Sequence, residues 1–349
     1  MLDVSRWCPP RGPFSRQRQH VIGGFMEQTG PAGAGVAAVR ARGRVLAYVV
    51  RADDAPGPTL VLPLDHLPPG ALALTGELTE LRRALADTPY RDLNKIAVYG
   101  RSARPGVDLD YRFVQAMPDG RFDFRTGCGH SLLACVVADG GRPGPVTVRA
   151  VTTGETIRCL PQDAFPQSHV PQDASPQDAR GAAYTLDFLR PPTAPGTLPT
   201  GRPVDVIDGV PVSVVRYGNP YVFVDARHLP AADPMGRMLR LRSHTARMLG
   251  YPPHSPLPKI AAFARTPSGL AVRALTVGGW HPRLALTGAA ALAAAGALDG
   301  TVVPGPVGAV RTPGGPVRVS AAPDRVRVHD KRARLVTRLD LPWRIHATA

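Results

Sequence analysis

Residues 35–56 read GVAAVRARGRVLAYVVRADDAP, and residues 209–230 read GVPVSVVRYGNPYVFVDARHLP. Each stretch alternates apolar and polar positions, turns at a glycine (Gly43, Gly218), alternates again and ends at an acidic residue. That is the pattern of a half-buried β-hairpin, and two so alike in one chain suggest a duplicated unit. The flanking sequence extends the match. Leu72–Ala86 and Met235–Leu249 each carry apolar residues at three-to-four spacing, which predicts a helix. NKIAVYG (Asn94–Gly100) and PKIAAFA (Pro258–Ala264) follow, each a lysine leading a buried strand. A further strand and helix come next, in CGHSLLACVVADGG from Cys128 and HPRLALTGAAALAAAGALDG from His281. Both run through a glycine-containing turn into valine-rich strands, Val146–Val151 and Val302–Val310. The expectation is two copies of a hairpin, helix, strand, strand, central-helix unit. Their shared cleft would lie on the axis relating them, with the N-termini of the central helices pointing into it.

The chain has 349 residues, 44% of them hydrophobic, enough for two cores. The expected division is a disordered extension over 1–34, an N-terminal domain over 35–203 and a C-terminal domain over 204–349. Pro161–Ala179 (PQDAFPQSHVPQDASPQDA) repeats a Pro-Gln-Asp unit that cannot bury a core face, so it reads as a surface loop inserted in the first domain. Residues 190–203, rich in proline, read as a linker. No apolar run reaches the roughly 18 residues of a membrane span, and the N-terminus lacks a leader pattern. A cytoplasmic protein with no membrane partner is expected. The net charge of +15 raises nucleic acid as a partner. Against it, the positive charge is spread along the chain, almost all of it arginine, aromatics are only 6%, and no nucleic-acid-binding motif occurs. A small-molecule substrate is the expected partner, with a homodimer left open. Cys8, Cys128, Cys135 and Cys159 are too few and too scattered for a disulfide framework and lack ligand spacing for a metal.

Cys128 stands at the predicted start of a helix, between Thr126-Gly127 and Gly129-His130. The positive end of the helix dipole and nearby amides would draw its thiol toward the thiolate. Lys95 and Lys259 occupy the repeated strand-start position in a chain that otherwise writes its positive charge as arginine. An amine can lose its proton when desolvated, whereas a guanidinium effectively cannot. A thiolate and an amine facing one substrate carbon make an acid–base pair for moving a proton. Plainer readings exist: a cysteine is often a small buried hydrophobe, a strand-start lysine an edge charge, and Asn219 in Gly-Asn-Pro a good turn residue.

The stretches LNKIAVYGRS, DLDYRFVQAMPDGRFDFRTGCGHS, VVRYGNPYVFVDA, LPKIAAF and RALTVGGWHPRLALTGAAALAAAGALDGTVV cover most of residues 35–310. Together they resemble the PrpF-like isomerases, which include 4-oxalomesaconate tautomerase and methylitaconate isomerase. The resemblance implies an α+β, diaminopimelate-epimerase-like fold of two pseudo-symmetric domains, each a central helix wrapped by curved, mostly antiparallel strands. It also implies a cofactor-free proton shift along an unsaturated acid. The family's catalytic lysine falls on Lys95 and its catalytic cysteine on Cys128. Gly129, Ser131, Asn219 and His281 fall near the substrate carboxylates. His130, Ser102, Gly218, Lys259, Trp280 and Arg40 complete the expected substrate-binding set.

This chain departs from the family pattern at several points. The family's carboxylate-binding Arg-Gly-Gly-Thr-Ser-Lys-Gly turn is matched by RARGRVLAYVV from Arg40, and its Gly-Asn after the cysteine by Gly129-His130. Ser-Met-Gly before the later histidine becomes Val277-Gly278-Gly279-Trp280, and His-Pro-Ser-Gly becomes Thr312-Pro313-Gly314-Gly315. Small polar contacts are lost and bulk is added. Three functions are therefore carried forward: a double-bond isomerase, a cyclase acting by substrate positioning (ring formation on a polyketide, for instance), and a non-catalytic binding protein. The second half has no cysteine equivalent to Cys128, which argues against a two-thiol racemase.

Overall fold

The computed structural model describes residues 45–341 except 66, 68–69, 141–143, 163–180 and 277–278. The expected disordered extension, the stretch around Gly43, candidate Arg40 and nearly all of the Pro-Gln-Asp loop lie outside the described residues.

The first half runs β1 (Val45–Ala52), β2 (Thr59–Pro63), α1 (Leu74–Leu85), β3 (Lys95–Arg101), β4 (Leu109–Ala116), β5 (Phe122–Asp123), α2 (Gly129–Ala138), β6 (Val146–Ala150), β7 (Glu155–Pro161) and β8 (Ala182–Phe188). The second runs β9 (Asp205–Ile207), β10 (Val210–Tyr217), β11 (Asn219–Asp225), α3 (Pro234–Met248), β12 (Lys259–Thr266), β13 (Gly269–Thr276), β14 (Gly279–Trp280), α4 (Leu286–Gly296), β15 (Ala309–Thr312) and β16 (Gly315–Ala322). The last strand, β17 (Arg325–Leu341), pairs with β16 and then crosses to lie antiparallel to β8 and β1. Most pairings are antiparallel. The parallel pairs β2–β3 and β11–β12 each span a helix, because a parallel connection needs a crossover rather than a turn.

Strand periodicity sets which side chains face inward. In β3, Ile96 and Val98 pack with the buried leucines of α1, while Ala97 and Tyr99 face the core that contains α2. In β12, Ile260 and Ala262 pack on the α3 side, while Ala261 and Phe263 join the central core with α4. Successive side chains alternate between faces, so Lys95 and Lys259 share the inner faces of their strands.

The outer helices are amphipathic. Helix α1 buries Leu74, Leu78, Leu81 and Leu85, a three-to-four stripe worth about 1.5–3 kcal/mol per buried leucine; an aspartate at Leu81 would break it. Helix α3 starts with Pro234 after Asp233, whose carboxylate accepts from the Gly236 N–H at 2.8 Å. The inner helices are buried almost all round. Helix α2 packs on β1, β2, β3, β4, β6 and β17, and the alanine-rich α4 packs on β10, β11, β16 and β17. Small residues let the backbone approach closely: a Cβ on Gly288 would sit 2.7 Å from the Tyr221 ring.

Three expectations need correcting. The first-half hairpin that matches β10–β11 is β1–β2, paired through Tyr48–Val61 and Val49–Leu60 with residues 53–58 as its connection, while the expected turn at Gly43 lies outside the described residues. In topology β1–β2–α1–β3 matches β10–β11–α3–β12, and residues 53–58 occupy the place of the Gly218 turn. The sequence signal was there in Thr59–Pro63, a short apolar run bracketed by prolines, followed by LDHLPP where the second half has DARHLP. The last central helix begins at Leu286, not at His281, since Pro282 disfavours helical backbone at the residue before it. The valine-rich run 302–310 is a strand only from Ala309; Pro304 and Pro306 lack the N–H a strand ladder needs.

Candidate functional site

Cys128 is the residue immediately before α2, in extended conformation (φ −139°, ψ 107°) and half-buried. The approach to it is tightly held. Asp123 accepts at 3.1 Å from the N–H groups of Arg125 and Thr126 and from the Thr126 hydroxyl. Gly127 is gripped by Asn219: its N–H donates to the Asn219 carbonyl at 2.7 Å, and its C=O accepts from the Asn219 amide at 2.8 Å. The Tyr111 hydroxyl donates to the Cys128 carbonyl at 2.9 Å. Asn219 opens β11, next to Gly218 with φ +79°, and the Gly218 N–H donates to Glu155 at 3.0 Å. The turn of the second half thus holds the thiol-bearing loop of the first. A Cβ on Gly129 would lie 2.5 Å from Leu286, so the starts of α2 and α4 abut.

Lys95 is buried, and its Nζ donates to the Gly57 carbonyl at 3.3 Å. Burial pushes its amine below the usual lysine value; a charge on Cys128 would draw it back up and Arg51 pushes it further down. Lys259 is half-buried on the matching strand. Burial first and then Arg242 bring it down to about 8, against the opposing pull of Asp123 and Cys128. Both amines therefore feel the thiol at the head of α2.

His281 and His130 lie on the same cluster, their rings 6.5 Å apart and within 20° of parallel. His281 is buried, and its Nδ1 accepts from the Arg283 N–H at 3.1 Å, which leaves the proton on Nε2. Burial and then Lys95 lower it to about 4. His130 is pushed well below the ordinary value by burial and by Lys331, His281, Lys95 and Arg283. Both rings are neutral at pH 7. The His130 Nε2 is fully enclosed without a hydrogen-bond partner. Asp54, in the β1–β2 connection, pairs with Arg283 at 2.6 Å and with buried Lys331.

All three lysines of the chain (Lys95, Lys259, Lys331) therefore meet around one cleft. Sequence reasoning missed Lys331, Arg283 and Asp54. The rarity of lysine was the available signal for the first of them, and the sequence held none for the pairing. Behind the thiol lies an apolar pocket of about 320 Å³, counting the part open to solvent, lined by Leu132, Ile157, Leu186 and Phe188 with Glu155 beside them.

Other candidates are placed differently. Ser102 follows the far end of β3, about 23 Å along the strand from Lys95 at roughly 3.3 Å per residue, and its hydroxyl accepts from the Arg104 N–H at 3.2 Å. The Ser131 hydroxyl is buried against Thr59 at 2.9 Å. Trp280 lies under the Arg273 guanidinium, 3.9 Å from its ring centre, and packs on the α3 side of the sheet. Its bulk is taken up there. Among the described residues no group of three His, Cys, Asp or Glu side chains converges as a metal site, and no helix is long and apolar enough to cross a membrane.

No family model matches the chain. Its fold is epimerase-like. The methylitaconate-delta-isomerase crystal structure superposes with a TM-score of 0.60 over 86% of this chain and 95% of that one, at 20% identity. A hydroxyproline epimerase from Agrobacterium vitis gives 0.54 over 85% and 92%, at 14% identity. In sequence the chain is 30% identical to the "Putative isomerase YbhH" of Escherichia coli K12 over 241 residues, 60% of this chain and 68% of that protein. It is 25% identical to the 4-oxalomesaconate tautomerase of Pseudomonas putida over 241 residues, 61% and 67% of the two chains. The chain belongs to the PrpF-like isomerases, and it is an isomerase.

Proposed function

We propose that this isomerase moves a C=C bond in an unsaturated carboxylate by proton transfer at Cys128, without a cofactor. The reading rests on one observation above others: a half-buried thiol stands at the start of the central helix α2, and the lysines that open β3 and β12 lie on the strand faces turned to that same core. Cys128 removes a proton from the carbon next to the double bond. The C–H electron pair forms the new double bond, and the old one becomes an enolate conjugated with the carboxylate. Lys95, buried and holding one weak hydrogen bond, is the group we assign to offset that negative charge, since a fixed cation in a dry site is worth far more than one in water. The neutral His281, with its proton on Nε2, is suited to donate to a carboxylate. Lys95, Lys259, Arg283 and Lys331 together outnumber Asp54 and Asp123, which favours an anionic substrate.

We place the cleft between two related domains, 35–203 and 204–349, each a curved, mostly antiparallel sheet around its central helix. The free thiols Cys135 and Cys159 suit a reducing cytoplasm.

The test uses 4-oxalomesaconate and 2-methylitaconate in D2O, followed by NMR. Cys128→Ser should lower turnover by about 10²–10⁴, the range for loss of an acid–base group, and Lys95→Met by about 10²–10³, the range for loss of one group that stabilises developing charge, while circular dichroism stays native. Full activity in both variants would sink the reading and favour an enzyme that works by shape alone.

A further inference from the structure

Among the described residues, Lys259 differs from the other two lysines in its hydrogen bonding. Lys331 is paired with Asp54 and Lys95 donates to Gly57. Among the described residues no group accepts a hydrogen bond from the Lys259 Nζ or forms an ion pair with it. A half-buried, unpaired ammonium destabilises the fold, yet it sits on the inner face of β12 at the position that mirrors Lys95 on β3. The register also brings its strand alongside the strand that holds the thiol loop. Lys259 is opposite Tyr221 in the β11–β12 pair, and Asn219, two residues before Tyr221, grips the residue preceding Cys128. The chain writes almost every other positive charge as arginine. Arginine would supply charge here equally well, but it cannot release a proton.

We propose that Lys259 is the second proton-carrying group of the reaction: Cys128 takes a proton from one end of the allylic system, and the Lys259 ammonium gives one to the other. The inference rests on the function proposed above and assigns the proton donor that it leaves open. Removal breaks C–H and makes S–H, with the electron pair passing into the enolate. Return breaks N–H and makes the new C–H two carbons away: the enolate C=C pair becomes that C–H bond, the oxygen electrons restore C=O, and the N–H pair stays on the amine. The neutral amine and the thiol then exchange a proton through water, which resets both. The second half has no thiol for this step: the residue before α4, matching Cys128 before α2, is Ala285.

The groups that face Lys259 are Arg242 from α3, Asp123 from β5, Cys128 at the head of α2, Lys95 on β3, and His281. Burial, Arg242 and Lys95 lower its amine to about 8 against the upward pull of Asp123 and Cys128. Product formation should therefore fall as pH rises through that value, while Cys128-dependent exchange at the donor carbon should not.

The experiment follows deuterium entry at the donor carbon and product formation separately, with 4-oxalomesaconate and 2-methylitaconate as probes. Lys259→Met should lose about 10²–10⁴ in product formation yet still exchange the donor-carbon hydrogen, whereas Cys128→Ser should lose both. Lys259→Arg should keep KM within about twofold and be as poor in kcat as the methionine variant, because charge survives and proton release does not. An arginine variant with half or more of the wild-type kcat overturns the proposal and leaves Lys259 a charge alone. So does a methionine variant that loses donor exchange as completely as Cys128→Ser, which would make Lys259 a binding group. If the wild-type enzyme acts on neither acid, the proposed function is what fails. Acetic anhydride labelling then decides on Lys259: reactivity with a midpoint near 8 that falls further in Cys128→Ser supports the proposal, and a midpoint at the ordinary lysine value overturns it.

Discussion

Replacing Asn219 with alanine should loosen the thiol loop and destabilise the molecule together. The Asn219 amide makes two good hydrogen bonds to Gly127 across 92 residues of sequence and a longer one, 3.4 Å, to the Thr287 hydroxyl. It is 2% exposed, so water cannot take over. Each lost bond is worth about 1 kcal/mol net, and a buried peptide group left unpaired costs about 1–3 kcal/mol. With two such groups on Gly127, partly relieved by relaxation, the expected loss is about 2–4 kcal/mol. Asn219→Asp separates the two bonds: it keeps an acceptor for the Gly127 N–H but sets a carboxylate oxygen against the Gly127 carbonyl, so it should be no better than alanine. Urea denaturation measures the stability, and the rate of Cys128 alkylation in the native state measures the loop. A loss under about 0.5 kcal/mol in the alanine variant, with Cys128 reacting at the wild-type rate, would refute the assignment of Asn219 as the clamp.

Iodoacetamide at neutral pH should modify Cys128 well before Cys135 or Cys159, because both of those are fully enclosed and burial pushes their thiols up; equal labelling in the native state would contradict the site. Acidification should destabilise the protein partly through His281. Its folded value is about 4 against an ordinary 6.5, so between those values the unfolded chain binds a proton that the folded one does not, and stability falls as pH drops through that window. The shift bounds this contribution at about 3 kcal/mol, and His281→Gln should flatten the stability curve between pH 6.5 and 4 by up to that amount. Deleting residues 163–179 should change stability by less than about 0.5 kcal/mol, since Pro161 and Tyr184 already stand opposite each other in the β7–β8 pair and loop closure depends only weakly on length. A large loss would mean that the Pro-Gln-Asp repeat packs against the sheet.

Much of this molecule was legible from local pattern. The alternation in KIAVYG and KIAAFA already required that Lys95 and Lys259 lie on the face opposite Ile96 and Ile260. The apolar spacing in Leu74–Leu85, and the alanine run after Leu286, fixed which helices would lie outside and which inside. Cys128 before a helix was equally readable, because residues within one turn or one pleat constrain each other directly. The counterpart of the Gly218 hairpin was misplaced for the same reason that the hairpin itself was found: alternation marks a strand but not its partner, and only the pairing of Tyr48 with Val61 selects residues 53–58 as the matching turn. The contacts that make the cleft a site belong to tertiary structure alone. Asp54 and Lys331 are 277 residues apart and Glu155 and Gly218 are 63 apart, and no local pattern joins either pair. Burial draws them together, because a charge or amide removed from water must find its partner wherever packing has placed one, and no periodicity along the chain records where that will be.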